Sequence, residues 1–234
     1  TPPPAGDDIF MEGVDIQKIR EIIEAAPDGF QSPDVVNNLL IAAGIPMVDE
    51  GVVSTRRQAL RLARKMGYPL AMKVIGPVHK SDVGGVTLNI KSDAHLMAEF
   101  RRMKRIKGVD SVLIQRMITG MELFIGAKYE PRFGHVILCG LGGIFVEALG
   151  DLSHGLAPLT FNEAHSMVQS LKSYPIIQGM RGKQGINELR FVEIIVRLST
   201  LLRFAVEIKE LDLNPLIGNA EDIRVVDARM LIER

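Results

Sequence analysis

The stretch YPLAMKVIGPVHKSDVGGVTLNI, from Tyr68 to Ile90, limits what this chain can fold into more than any other. Leu70, Met72, Val74 and Ile75, and then Val86, Leu88 and Ile90, form two short apolar runs of strand type, with Lys73 pointing out of the first. Between them Gly76, Pro77, Gly84 and Gly85 punctuate a polar loop that carries His79, Lys80, Ser81 and Asp82. Such a loop holds no regular structure of its own, and its glycines let the backbone come close to a ligand. A strand lysine ahead of a glycine-bearing loop suits a nucleotide triphosphate. The ammonium meets phosphate charge, and loop N–H groups meet phosphate oxygens. Taken alone, the loop also fits an ordinary hairpin with a charged tip, and company further along the chain has to decide.

With 234 residues and 47% hydrophobic content, the chain can bury a proper core as one large domain or two modest lobes. Lys plus Arg and Asp plus Glu balance at 28 each. That balance argues against the broad basic field of a nonspecific nucleic-acid binder and against an acidic tail, and favours a small-molecule partner over nucleic acid. The single cysteine, Cys139, lies in the apolar run from Val136, so it reads as a buried small hydrophobe with no disulfide partner in the chain, which suits a reducing compartment. No apolar run reaches the roughly 20 residues of a membrane span, and no charged-then-apolar signal pattern opens the chain. A cytoplasmic protein with no membrane partner is expected. The opening TPPPAGDD reads as linker over residues 1–13, and the sequence as the C-terminal piece of a longer polypeptide.

Along the chain, the spacing of Ile16, Ile19, Ile22, Ile23 and Ala26 predicts a first helix. Ser32-Pro33 starts a second, which Gly44 ends before a strand-like Ile45 to Val48; Ser54 caps a third, closed by Gly67. This first half has an α/β rhythm. A helix from Asp93 to Lys107 carries Arg101, Arg102, Lys104, Arg105 and Lys107 as its solvated face, with no interleaved aromatic residues to stack on bases. Strands at Ser111 to Ile118, Glu122 to Tyr129 and His135 to Cys139 then read as an antiparallel region, followed by helices at Leu159 to Leu171 and Glu188 to Phe204. The cluster Gly140, Gly142, Gly143 is not the dinucleotide fingerprint, because the helix-opening glycine is missing. Near the end, Glu210, Asp212 and Asn214 alternate against Leu211, Leu213 and Pro215, and a strand from Ile223 to Val226 brings in Asp227. These oxygens fit a hard-cation site for Mg²⁺ completed by phosphate. They also fit a turn at Asn214-Pro215 with Asp227 as a cap.

Together Lys73, the HKSDVGGV loop, Glu122 seven residues after Gln115, GLGGIFVE, and DLNPL followed by VVDAR resemble the ATP-grasp domain of NDP-forming acyl-CoA synthetases, in the branch of the ADP-forming acetate–CoA ligases. The resemblance runs from about Ser32 to the C-terminus. It implies an α+β ATP-grasp fold with two lobes, residues 14–114 with the leading helices and 115–234, clasping ATP or ADP, and a phosphohistidine that links the nucleotide to acyl-CoA and phosphate. On the matching positions, Lys73 with Gly84 and Gly85 would meet the triphosphate. Gln115 and Met117 would sit in the hinge strand behind adenine, and Glu122 would take the ribose hydroxyls. Asn214 and Asp227 would hold Mg²⁺, His79 would accept the phosphoryl group, and Asp212 would face the phosphohistidine. A neutral imidazole is a competent nucleophile at cytoplasmic pH, and a carboxylate can orient it. The partner implied is a CoA-binding domain or subunit of the same enzyme, through which acyl-CoA, acid and phosphate enter, in an oligomeric assembly. Arg116 departs from the family, which has an acidic residue there, and leaves Gln115 and backbone to meet the adenine amine. Glu147 fits either the phosphate site or a core arginine pair, while His95, His135, His154 and His165 read as surface or structural. The alternative is a regulatory ATP-grasp module of a protein lysine acetyltransferase fusion, against which the intact His79, Asp212, Asn214 and Asp227 weigh. A stand-alone ligase joining a carboxylate to an amine would give His79 no role.

Overall fold

The computed structural model describes residues 12–76, 84–143, 150–180, 182 and 184–234. His79 and Glu147 lie outside the described residues. First come α1 (Ile16–Ala25), β1 (Gly29–Phe30) and α2 (Pro33–Ala42), then β2 (Glu50–Val53), α3 (Arg56–Met66), β3 (Leu70–Ile75), β4 (Val86–Ile90), α4 (Asp93–Met103) and β5 (Ser111–Arg116). After β6 (Met121–Glu130), β7 (Gly134–Leu141) and β8 (Leu152–Leu156) follow α5 (Phe161–Gln169), α6 (Tyr174–Gln178) and α7 (Glu188–Phe204). The last elements are β9 (Ile208–Gly218), β10 (Ile223–Val225) and β11 (Ala228–Ile232).

The chain divides into two compact units, one of residues 48–118 and one of the segments up to 47 and from 119. The smaller unit is a four-stranded sheet in the order β2-β5-β3-β4. Leu70, Met72 and Val74 of β3, Val112 and Ile114 of β5 and Ile90 of β4 turn to one face and pack on Ala59 and Ala63 of α3 and Leu96, Phe100 and Met103 of α4. Each such Leu, Met or Phe contributes roughly 1.5–3 kcal/mol by leaving water. The larger unit is a seven-stranded sheet ordered β1-β11-β9-β6-β7-β8, with β10 also on β9. Leu123, Ile125, Ile137, Cys139, Leu211 and Leu213 line its inner face against Ile19 and Ile23 of α1, Leu39 and Leu40 of α2 and Phe191, Ile195 and Leu198 of α7. Cys139 is fully buried here, and burial pushes its thiol up to about 12, so it is an inert packing group as its apolar run implies.

Local chemistry explains several departures from the sequence reading. Every strand ladder is antiparallel, so the helix–strand alternation of the first half does not build a parallel sheet. The segment Ile45 to Val48 is not a strand. It touches the sheet through one bridge between Met47 and Val225, helped by the Pro46 carbonyl accepting the Val225 N–H at 2.9 Å. Thr55, not Ser54, caps α3, because its hydroxyl takes the Gln58 N–H while the Gln58 side chain reaches back in a capping box. Helix α4 stops at Met103, four residues early, ahead of Gly108 at φ +81. The two leading helices pack on the sheet that includes β9 and β11, through Ile19, Ile23, Leu39 and Leu40, so the division of the chain is not a single cut at 114/115. Among the described residues no helix is long and apolar enough to cross a membrane.

Candidate functional site

In the unit of residues 48–118, alternation along β3 turns Lys73 away from the core side of Met72 and Val74, opposite Leu113 of β5 and Val86 of β4. Lys73 is half-buried, and Val86 and Leu88 beside it on β4 are exposed, so the lysine stands on a largely apolar sheet face. The C-terminal end of the glycine-bearing loop is held from two sides. The Gly85 carbonyl accepts the Val74 N–H at 2.8 Å, and Gly84, at φ +64, gives its carbonyl to Arg102 at 2.8 Å. Arg102 also meets Thr87 and Glu99, so this member of the basic helix braces the loop and is not merely solvated. Gln115 is 3% exposed, and its amide donates to Glu50 directly across the ladder at 2.6 Å. Strand β5 ends at Arg116; Met117 donates its N–H to the Pro69 carbonyl, and its sulfur accepts the Asn89 N–H at 3.0 Å.

The larger unit brings three of the predicted residues to one sheet face. Glu122 on β6 and Asp212 and Asn214 on β9 all turn away from the helix-packed side, where Leu123, Leu211 and Leu213 are buried. Asn214 donates its backbone N–H to the Asp227 carbonyl at 3.0 Å, which ties the turn after β10 to β9. Pro215 departs from the expected alternation. Leu213 pairs with Ile125 and Leu216 with Leu123, so the pattern slips by one residue at Asn214-Pro215 and the inner face resumes at Leu216. Asp212 sits opposite Gly126 of β6 and Arg229 of β11. Its Oδ1 is buried without a hydrogen-bond partner. Burial holds the Asp212 carboxyl above the usual carboxylate range; Arg229 opposes that shift and the Asp227 charge adds to it. A cavity of about 270 Å³ opens beside it, lined among others by Phe30, Phe124, Lys128, Glu210 and Arg229. The Phe124 ring lies across Gly126, where a Cβ would come within 2.8 Å of it, and Arg229 stands 5.5 Å above the Phe30 ring.

These residues form an acceptor-rich face with two cations at its border. The sequence reading missed Arg229 and Lys128; strand period would have found Arg229, which lies two positions after Asp227, but only once its ladder with Asp212 was known. Among the described residues no group of three or more His, Cys, Asp and Glu could hold a metal. One amide and one carboxylate, such as Asn214 and Asp227, would suit Mg²⁺, which keeps most of its shell for water and phosphate oxygens; the Asp227 Oδ1 accepts the Ala228 N–H at 3.1 Å. Of the remaining histidines, His135 is buried and its Nε2 lies 2.7 Å from the Ile208 carbonyl, while His165 pairs with Glu188 at 2.7 Å. Both are structural contacts.

Residues 24–232 match the ATP-grasp domain family. The chain is 36% identical over 230 residues to the beta subunit of acetate–CoA ligase [ADP-forming] I from Pyrococcus furiosus, covering 93% of this chain and 99% of that one. It is also 36% identical over 230 residues to acetate–CoA ligase [ADP-forming] I from Archaeoglobus fulgidus, where 94% of this chain covers 34% of the relative. Among solved structures, it superimposes with a TM-score of 0.79 at 31% identity on dinucleotide forming acetyl-coenzyme A synthetase 1 from Ca. Korarchaeum cryptofilum, covering 93% of this chain and 99% of that one. That protein is in complex with coenzyme A and Mg-AMPPCP, its phosphohistidine segment pointing towards the nucleotide binding site.

Proposed function

Because the chain belongs to the ATP-grasp domain family, with the beta subunits of ADP-forming acetate–CoA ligases among its relatives, we propose that it is the nucleotide-binding, phosphoryl-transfer half of an ADP-forming acyl-CoA ligase. The reaction interconverts acyl-CoA, ADP and phosphate with free acid, ATP and CoA through a phosphohistidine. The observation that carries this reading is the end-to-end correspondence with the Pyrococcus beta subunit. The other half, a CoA-binding domain or subunit, supplies the acyl chemistry.

Each residue has a role that its chemistry supports. Lys73 meets phosphate charge, Gly84 and Gly85 let the loop backbone approach the phosphates, Gln115 and Met117 border the base, and Glu122 accepts the ribose hydroxyls. Asn214 and Asp227 hold Mg²⁺, which when bound neutralises charge on the nucleotide phosphates. In the step towards phosphoenzyme, the neutral imidazole of His79 forms an N–P bond with the terminal phosphorus of ATP as the P–O bond to ADP breaks, and ADP leaves with the electron pair. Asp212 stabilises the positive charge this leaves on the ring. Its orphaned Oδ1 is an acceptor kept without a donor, which supports that role. The assignment of His79 rests on its sequence motif.

Phosphohistidine mapping with labelled ATP tests the proposal. Label is expected on His79, acid-labile and base-stable, absent from His79→Asn, and falling as pH drops through the imidazole range of roughly 6–7. An unlabelled His79 in the presence of Mg²⁺ and the CoA-binding half would sink it, and would move a regulatory module ahead.

A further inference from the structure

The end of β6 that carries Glu122 pairs with Ile217 of β9 on one side and meets two glycines on the other. Gly142 and Gly143 follow β7 directly, and their backbone lies against the glutamate. A Cβ on Gly142 would come within 3.1 Å of the Glu122 Cβ and 3.2 Å of its carbonyl carbon; one on Gly143 would come within 2.7 Å of the Glu122 Oε2. Gly143 also holds φ +60, a conformation that costs most side chains strain.

The backbone of Glu122 has nowhere to retreat. Its carbonyl accepts the Gly142 N–H at 2.7 Å, and on the other side it pairs with Ile217 of β9. Just before it, Gly120 is packed so closely on Gly218 that a Cβ would meet the Gly218 carbonyl at 2.3 Å. An added methyl at Gly143 therefore has to move the glutamate carboxylate, and one at Gly142 presses on the Glu122 Cβ and on the backbone of Glu122 and Leu123. The Glu122 side chain is exposed.

We propose that Gly142 and Gly143 are positioning residues that set the specificity of this chain for a ribonucleotide, by placing the Glu122 carboxylate where it accepts both hydroxyls of a vicinal diol. A carboxylate offers two oxygens, and the 2′ and 3′ hydroxyls of ribose offer two donors at matching separation. The inference rests on the reading of Glu122 as the ribose contact and adds what holds that contact in place.

The test is calorimetric titration of the Mg²⁺-loaded protein with ADP and with 2′-deoxy-ADP. The wild type should favour ADP by roughly tenfold, the scale of one hydrogen bond to a charged group. Glu122→Gln and Gly142→Ala should each bring that ratio close to one, with the larger loss of affinity for ADP. If Glu122→Gln leaves the ratio intact, the ribose reading fails. If Glu122→Gln collapses it and Gly142→Ala does not, or weakens both nucleotides equally, the glycines are only structural and the proposal falls. Should Gly142→Ala not fold, Gly143→Asn carries the same measurement, since asparagine tolerates positive φ while still placing a Cβ against Oε2.

Discussion

The two units differ in charge far more than in architecture. Residues 48–118 hold fourteen of the 28 Lys and Arg but only six of the 28 Asp and Glu, which leaves fourteen cations against twenty-two carboxylates in the rest of the chain. The balanced total therefore hides a basic unit and an acidic one. Part of the basic excess is local: Arg64 pairs with Asp93 and Arg102 with Glu99, and Arg64, Lys65, Arg101 and Arg102 lie in the last turns of α3 and α4, where they suit the helix dipole. The acidic side includes Glu122, Asp212 and Asp227 on or beside one sheet face. A nucleotide triphosphate with its metal asks for both kinds of group, cations for phosphate and carboxylates for metal and sugar.

If the roles divide as the charges do, variants on the acidic unit should change metal dependence and phosphoryl transfer, and variants on the basic unit should change affinity for phosphate. The largest effect is expected from Asp212→Ala. Labelling of the phosphohistidine should slow on the order of 100-fold while ADP affinity stays within error, and an equal loss in both would place Asp212 with the nucleotide. Next, Asp227→Asn should weaken ADP binding by roughly tenfold or more in Mg²⁺ and not at all in EDTA. Equal affinities with and without metal in the wild type would remove that role. Lys73→Ala should weaken ATP by about tenfold and leave adenosine unchanged, read by thermal shift with each ligand, because the lost ammonium meets phosphate and not base. An unfolded variant would make Lys73 a structural residue.

What the sequence made legible follows from how local the governing physics is. Helix α7 is met residue for residue because its apolar spacing and its Asn187 cap are local. The β3 and β4 pair, and the alternation of Asp212 with Leu211 and Leu213, are legible for the same reason. Partner choice between distant strands is not local. The ladder of β9 with both β6 and β11 puts Asp212 opposite Gly126 and Arg229, and no spacing rule links residues that far apart in the chain. The burial of Gln115 against Glu50 and the closing of Gly142 and Gly143 on Glu122 are likewise properties of the folded sheet. Net charge misled in another way, since a sum over the chain cannot report segregation along it.

The smallest effect is also the sharpest probe of the acidic face. Asp212 has a folded-state pKa above its unfolded value, raised first by burial and further by Asp227, with Arg229 pulling the other way. A carboxyl shifted upward favours the fold only while it is protonated, and that contribution is lost as pH rises through the raised pKa. At neutral pH the wild type thus keeps an ionised group, with Oδ1 buried and unpartnered, at some cost to the fold. Asp212→Asn conserves the shape and cannot ionise. It should melt roughly 1–3 °C higher at pH 7. The gap should narrow as pH falls through the raised Asp212 pKa, where the wild-type carboxyl takes up its proton. The same variant should lose phosphoryl transfer, so stability and function would move in opposite directions at one position. A lower melting temperature at pH 7 would mean that the attraction of Arg229 outweighs burial. Asp212 would then be an ion-pair partner holding β9 to β11, not an acceptor kept open for a charged ligand.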